Sequence, residues 1–156
     1  MKLKDLIRLD ESVTSALAES LSKLMYLTEE YSRTKDLFTL EDLKRRFVAE
    51  LQYYTEQYSR FKSFKGPNHT YFETQRKKLK AETLERLLAN GIKITQADMR
   101  VYADPIYVEA TNILDKATAS FIAAELKYEQ FNNTLQAMIQ SIAVASKDYH
   151  ISKTND

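Results

Sequence analysis

An unbroken heptad repeat covers the last third of the chain. After Asp104-Pro105, apolar residues recur at alternating intervals of three and four residues from Tyr107 to Tyr149, for six heptads. Such a stripe is typical of a long helix that packs one side against other helices. An aspartate at the N-cap and a proline at the first helical position form a favourable helix start. The sequence therefore predicts one long helix over 105–149.

The rest of the chain also predicts helices. Only two glycines and two prolines in 156 residues leave too few turn residues for a β-rich fold, so we expect an all-α protein. A capping-box pattern at Thr39 and Asp42 predicts an interruption in the first half, which leaves open one kinked helix or two helices. The predicted single domain, 1–156, has helices at about 12–64, 71–90, 96–103 and 105–149, and a polar tail at 150–156.

The heptad stripe is longer than the helices that are available within the chain to cover it. Apolar surface of that extent predicts an elongated helical bundle or coiled coil that assembles as a homo-oligomer, a trimer or larger. The interface would use the large apolar residues of the stripe: Leu114, Phe121, Tyr128, Phe131, Leu135, Met138 and Ile142.

The sequence contains no recognisable catalytic motif. The absence of cysteine excludes disulfides, thiolate catalysis and cysteine-bound zinc. His69 and Glu73 are four residues apart, but two ligands are too few for a metal site. No pair of glycines lies close enough to form a phosphate-binding loop. We therefore expect a protein that is not an enzyme, with no catalytic residues, no metal and no cofactor.

The N-terminal sequence carries Asp5, Asp10 and Glu11 and no sustained apolar segment, so it does not predict a signal peptide. No stretch approaches eighteen consecutive apolar residues, the length that predicts a membrane span. The expectation is a cytoplasmic protein with no membrane partner.

Positive charge is concentrated around the break at Gly66-Pro67. Residues 53–80 contain seven basic and two acidic residues, a net charge of +5, whereas the remainder of the chain has a net charge of −4. The basic residues are Arg60, Lys62, Lys65, Arg76, Lys77, Lys78 and Lys80. They alternate with four aromatic residues: Phe61, Phe64, Tyr71 and Phe72.

Two interpretations of this basic-aromatic cluster are open. In the first interpretation the cluster binds single-stranded nucleic acid, because cations neutralise phosphates and aromatic rings stack on unpaired bases. Alternatively, the rings close the end of a helical core and the charges keep a turn solvated. The two interpretations differ in whether the rings are exposed.

Three segments resemble the UvsY family, the recombination mediator proteins of T-even-type phages. They are "VAELQYY" (48–54), "ADPIYVEATNILDKATASF" (103–121) and "LQAMIQSIAVASKDYHI" (135–151). The resemblance implies a small helical homo-oligomer in the host cell cytoplasm. It also implies binding to single-stranded DNA, and loading of a RecA-like recombinase onto strands coated by single-strand-binding protein.

One position departs from the family pattern. The family has basic residues just before its Leu-x-Tyr-Tyr motif, where this chain has Val48 and Glu50. The substitutes would be the Arg60–Lys80 cluster or three basic residues one turn earlier, which are Lys44, Arg45 and Arg46. The expected function is DNA binding and recombination mediation. The alternative is a structural coiled-coil oligomer, such as a virion, scaffold or adaptor protein, whose basic corner binds protein.

Overall fold

The computed structural model describes the backbone of residues 3–65 and 71–154, and the side chains of 5–62 and 71–153. All regular structure in these ranges is α-helical, which confirms the all-α prediction. The helices are α1 (Leu3–Arg33), α2 (Leu37–Lys65), α3 (Tyr71–Ala89), α4 (Ile94–Val101) and α5 (Pro105–Thr154). None of the helices in the described part of the chain has both the length and the apolar composition needed to cross a bilayer.

The long C-terminal helix begins where the sequence predicts. The Asp104 carboxylate accepts hydrogen bonds from the backbone N–H groups of Ile106 (3.0 Å) and Tyr107 (3.1 Å), which satisfies two of the free donors of the first turn. Arg86 of α3 donates to the same oxygen at 2.6 Å. The hydrogen bond from Arg86 is the main reason that the pKa of Asp104 lies below its usual value. Helix α5 ends at Thr154, five residues beyond the predicted end.

The first half of the chain forms two helices, which settles the alternative that the sequence left open. The cap of α2 is Asp36, because its carboxylate accepts hydrogen bonds from the Thr39 N–H (2.9 Å) and the Thr39 hydroxyl (2.6 Å). The hydroxyl contact lowers the pKa of Asp36 most. Helix α1 begins at Leu3, nine residues before the predicted start, and its first turns bury Leu6.

The turn between α3 and α4 has the hydrogen bonds of a Schellman motif. Gly91 has a φ of +83°, in the left-handed region that glycine adopts without strain. The Gly91 N–H donates to the Leu88 carbonyl (2.9 Å), and the Ile92 N–H donates to the Leu87 carbonyl (3.2 Å). Helix α4 then starts at Ile94, two residues before the predicted start.

The N-cap position of α4 is Lys93, which has an extended backbone and makes no side-chain capping bond. Thr95 and Asp98 have the spacing of a capping box, but they do not cap the start of this helix. Asp98 instead lies 3.2 Å from the Lys80 ammonium of α3, and this ion pair links the two helices.

The chain divides into two compact units. Unit 1 contains Met1–Val13 and Arg60–Ile122, and unit 2 contains Thr14–Ser59 and Ala123–Asp156. The core of unit 1 groups buried residues from α1, α3 and α5, namely Leu6, Phe72, Leu114 and Ala117. The partly buried side chains Tyr71, Leu79 and Ile113 pack against this group.

Unit 2 is a three-helix arrangement of α1, α2 and α5. Phe131 of α5 contacts Phe47 and Tyr54 of α2 edge to face, at ring-centroid distances of 6.1 and 5.9 Å. The Tyr54 hydroxyl donates to the Ala124 carbonyl at 3.0 Å, and burial raises the pKa of Tyr54 to about 12. The Tyr31 hydroxyl of α1 donates to a backbone carbonyl of α5 at 3.0 Å. Tyrosine hydroxyls therefore fix α5 to both of its partner helices within this unit.

Candidate nucleic-acid interface

The two units carry charges of opposite sign. Unit 1 has fourteen basic and ten acidic residues, a net charge of +4, whereas unit 2 has nine basic and twelve acidic residues, a net charge of −3. The segregation of charge seen in the sequence thus coincides with the division of the fold. Unit 1 is the part of the molecule whose charge attracts a polyanion.

Two of the four rings of the basic-aromatic cluster are buried. Phe61 is 1% exposed and Phe72 is 8% exposed, and both contact Phe121, at centroid distances of 6.3 and 6.5 Å. The structure corrects the expectation that these two rings stack on bases, because packing on Phe121 removes them from solvent. Tyr71 is half-buried and lies against Phe72 at 5.6 Å. The side chain of Phe64 lies outside the described residues.

Several of the basic residues are held by neighbouring groups in unit 1. Arg76 forms an ion pair with Asp115 of α5. Lys78 lies 3.8 Å from Glu82, and Lys80 pairs with Asp98. On α2, Arg60 donates to the Ser12 hydroxyl at 3.4 Å. These cations link helices or neutralise acids as well as facing solvent.

Lys62 and Lys77 differ from the other cations of the cluster. Both side chains are exposed, and neither forms an ion pair within the described residues. An exposed ammonium with no protein counter-ion keeps its full charge for an external anion. The side chain of Lys65 lies outside the described residues. Lys62 and Lys77 are therefore the residues of this cluster best suited to bind phosphate.

A second group of exposed residues lies on and beside α4, beyond the segment that the sequence analysis singled out. Lys93 and Arg100 are exposed, and neither forms an ion pair within the part of the chain that the structure describes. Tyr102 is 59% exposed, and the Lys80 ammonium lies 5.1 Å from its ring centroid. Hydrogen bonds to Tyr102 and then to Asp98 raise the pKa of Lys80. In the sequence, the signal for this group is the close spacing of Arg100 and Tyr102, which lie beyond the basic-aromatic cluster that ends at Lys80.

The basic residues that would substitute for the family motif lie in unit 2. Arg45 pairs with Asp42 at 2.5 Å, and Lys44 is half-buried. Arg46 is exposed and lines an open groove of about 450 Å³ together with Lys23 and Tyr26. This group is the rival phosphate site, in a unit whose net charge is negative.

The heptad stripe is covered within the chain. Five of the seven expected interface residues are buried and two are half-buried: Leu114, Phe121, Phe131, Met138 and Ile142, and Tyr128 and Leu135. Tyr128, for example, stacks on Tyr58 of α2 at a centroid distance of 5.5 Å. The side of α5 that was expected to form an interface between chains therefore packs within each unit, on α1, α2 and α3 in unit 1 and on α1 and α2 in unit 2.

The outward side of α5 carries no charge between residues 130 and 146. The seventeen residues 130–146 contain no acidic or basic side chain. Ile139 is 43% exposed and Val144 is 60% exposed, and amide, alanine and serine side chains surround them. Protein surfaces usually carry charged residues throughout, and their depletion is characteristic of interface centres.

No group of three or more histidine, aspartate or glutamate side chains in the described ranges is arranged to hold a metal ion. His69, whose pairing with Glu73 the sequence analysis set aside, lies outside those ranges. Comparison with protein-family models, with curated proteins and with solved structures gave no match to this chain. The family resemblance therefore rests on the three sequence segments alone.

Proposed function

We propose that the protein binds single-stranded DNA and acts as a recombination mediator that is not an enzyme. The observation that carries the proposal is the +4 charge of unit 1, with Lys62 and Lys77 exposed and without ion pairs in its described residues. The resemblance to the UvsY family adds the biological context, which is the loading of a RecA-like recombinase onto strands coated by single-strand-binding protein.

Phosphate contacts supply most of the binding in this proposal. Each lysine that neutralises a phosphate releases condensed counter-ions, so affinity is independent of sequence and falls with salt. Several copies of unit 1 in one assembly bind the same strand more tightly than one copy does, because tethering raises the effective concentration. A strand held at several points in this way is displaced from its coating protein and presented to the recombinase.

The direct test is a fluorescence-anisotropy titration of a labelled oligothymidylate at a series of salt concentrations. We expect the logarithm of the affinity to fall linearly with the logarithm of the salt concentration, with a slope of about −0.7 for each phosphate neutralised. Two contacts, at Lys62 and Lys77, set a minimum slope of about −1.4. Absence of binding at about 50 mM salt contradicts the proposal.

We also propose that the protein is a homo-oligomer, a trimer or larger, assembled through the uncharged outward side of α5. Light scattering should give at least three times the chain mass of 18.1 kDa. Val144→Asp places a charge on this surface and should reduce the mass towards that of a single chain. The control is Val48→Asp on α2, whose side chain is also exposed. A wild-type mass of 18.1 kDa at micromolar concentration rules out this assembly.

The second candidate function is a structural helical oligomer whose basic corner binds protein. Burial of Phe61 and Phe72 favours it, because these rings close a core. It predicts assembly without DNA affinity, so light scattering and anisotropy on the same sample separate the two functions.

A further inference from the structure

We propose that Tyr102 is a stacking platform for an unpaired base, held in place by Lys80, with Lys93 and Arg100 of the same segment as the cations that attract phosphate. This inference rests on the proposed binding of single-stranded DNA and adds a site beside α4, where Lys80 of α3 contacts Tyr102. It supplies the aromatic contact that Phe61 and Phe72 do not provide.

The ring is both accessible and held in place. Tyr102 follows the last residue of α4 and is 59% exposed. The Lys80 ammonium lies 5.1 Å from the ring centroid, within the range of a cation–π interaction. Tyr107 of α5 meets the same ring edge to face at 5.9 Å. A ring fixed on two sides loses little conformational freedom when a base stacks on it.

The charges beside the ring favour an anion. The segment from Lys93 to Asp104 contains two basic and two acidic residues. Both acids are bound by cations of α3, since Asp98 pairs with Lys80 and Asp104 pairs with Arg86. Lys93 and Arg100 therefore keep exposed positive charges with no acid of their own segment to neutralise them.

Three large exposed residues on α4 and at the start of α5 are apolar. Met99 is 72% exposed, and Ile94 and Ile106 are 74% and 61% exposed. Base faces and the thymine methyl group are apolar as well, so exposed apolar side chains of this kind suit contact with a single strand. A ring, exposed apolar side chains and unpaired cations together match the chemistry of a single strand, which has exposed bases and a phosphate backbone.

The first arm of the test measures affinity for labelled oligothymidylate. Tyr102→Ala should weaken binding by about 5- to 150-fold and leave the salt slope unchanged, because stacking releases no counter-ions. Tyr102→Phe keeps the ring and should bind as the wild type does. The matched control is Phe38→Ala, since Phe38 is 66% exposed but lies on α2 in unit 2.

The second arm uses the absence of tryptophan from the chain. Tyr102→Trp introduces a single indole, and stacking on thymine should quench its fluorescence when the oligonucleotide is saturating. Phe38→Trp, on the exposed surface of unit 2, should stay unquenched. This arm remains informative if Tyr102→Ala fails to fold.

The outcomes separate this inference from the proposed function. If the wild type binds DNA, but Tyr102→Ala binds equally well and Tyr102→Trp is not quenched, the stacking site is wrong and the DNA function stands. If the wild type does not bind DNA, the proposed function fails and this site fails with it. A change in oligomeric mass on Tyr102→Ala, with DNA affinity unchanged, would show that the surface docks another copy of the chain and would also overturn the inference.

Discussion

Reversing the charges of Lys62 and Lys77 together should weaken binding to single-stranded DNA by about 25-fold or more at about 0.1 M salt. Removing two phosphate contacts makes the slope of log affinity against log salt shallower by about 1.4. If the wild type and the variant have equal affinity at about 1 M salt, this difference in slope makes the variant about 25-fold weaker at about 0.1 M. The loss should be the same for every sequence, because phosphate contacts carry no sequence information. Anisotropy titrations of Lys62→Glu/Lys77→Glu across a salt series give both quantities.

The choice of lysines follows from the ion pairs of unit 1. Reversal at Arg76 would place a carboxylate beside Asp115, so a loss of binding there would be confounded with damage to the contact between α3 and α5. Lys62 and Lys77 make no such contact in the described residues. The matched control is Lys127→Glu/Lys147→Glu, which makes the same change in charge on exposed positions of unit 2.

Two results would locate the site elsewhere. If Lys62→Glu/Lys77→Glu binds as tightly as the wild type does, the basic cluster is not the DNA site. If Lys44→Glu/Arg46→Glu loses binding in its place, the site is the group beside the open groove of unit 2, where the family resemblance would also put it. Equal losses in the control pair would indicate an effect of net charge alone.

Phe121→Ala should reduce the free energy of unfolding by about 3–5 kcal/mol, the range for removal of a buried phenylalanine. Phe121 is 4% exposed and contacts both Phe61 and Phe72, so its removal leaves a cavity between α2, α3 and α5 within unit 1. Urea denaturation of both proteins, at several protein concentrations, measures this loss.

The adjacent residue is the control. Ile122 is 50% exposed, and Ile122→Ala should change the free energy of unfolding by no more than about 0.5 kcal/mol. An intramolecular role for Phe121 predicts the same loss at every protein concentration, whereas a role between chains predicts a loss that grows on dilution. If the loss in free energy of unfolding depends on protein concentration and the monomer keeps its stability, Phe121 lies in an interface between chains, as the heptad pattern predicts.

Local sequence signals determined most of the helix positions. The start of α5 follows from the Asp104 carboxylate and the missing N–H of Pro105, and the end of α3 follows from the left-handed backbone of Gly91. Each signal acts within a few residues of chain, so a sequence pattern is enough to read it. The predicted starts of α1 and α4 and the predicted end of α5 were wrong by two to nine residues. At α2 the cap is Asp36, whose carboxylate accepts hydrogen bonds from Thr39, and near the start of α4 Asp98 binds Lys80 and does not cap the helix.

The apolar periodicity determined which side of α5 is buried but not what covers it. A heptad stripe packs equally well on helices of its own chain or of another copy, because burial of apolar surface is not directional. Only the tertiary structure shows that α1, α2 and α3 cover it within the two units.

The same distinction applies to the candidate site. The sequence alone determined that positive charge and aromatic rings are concentrated together, since charge and ring count are properties of composition. Only the tertiary structure decided that Phe61 and Phe72 are buried while Tyr102 is exposed. It also decided which lysines form ion pairs, as Lys80 does, and which form none among the residues that the structure describes, as with Lys77. Exposure and ion pairing depend on residues far apart in the chain, such as Phe121 for the rings and Asp98 for Lys80, and no local pattern encodes those distances.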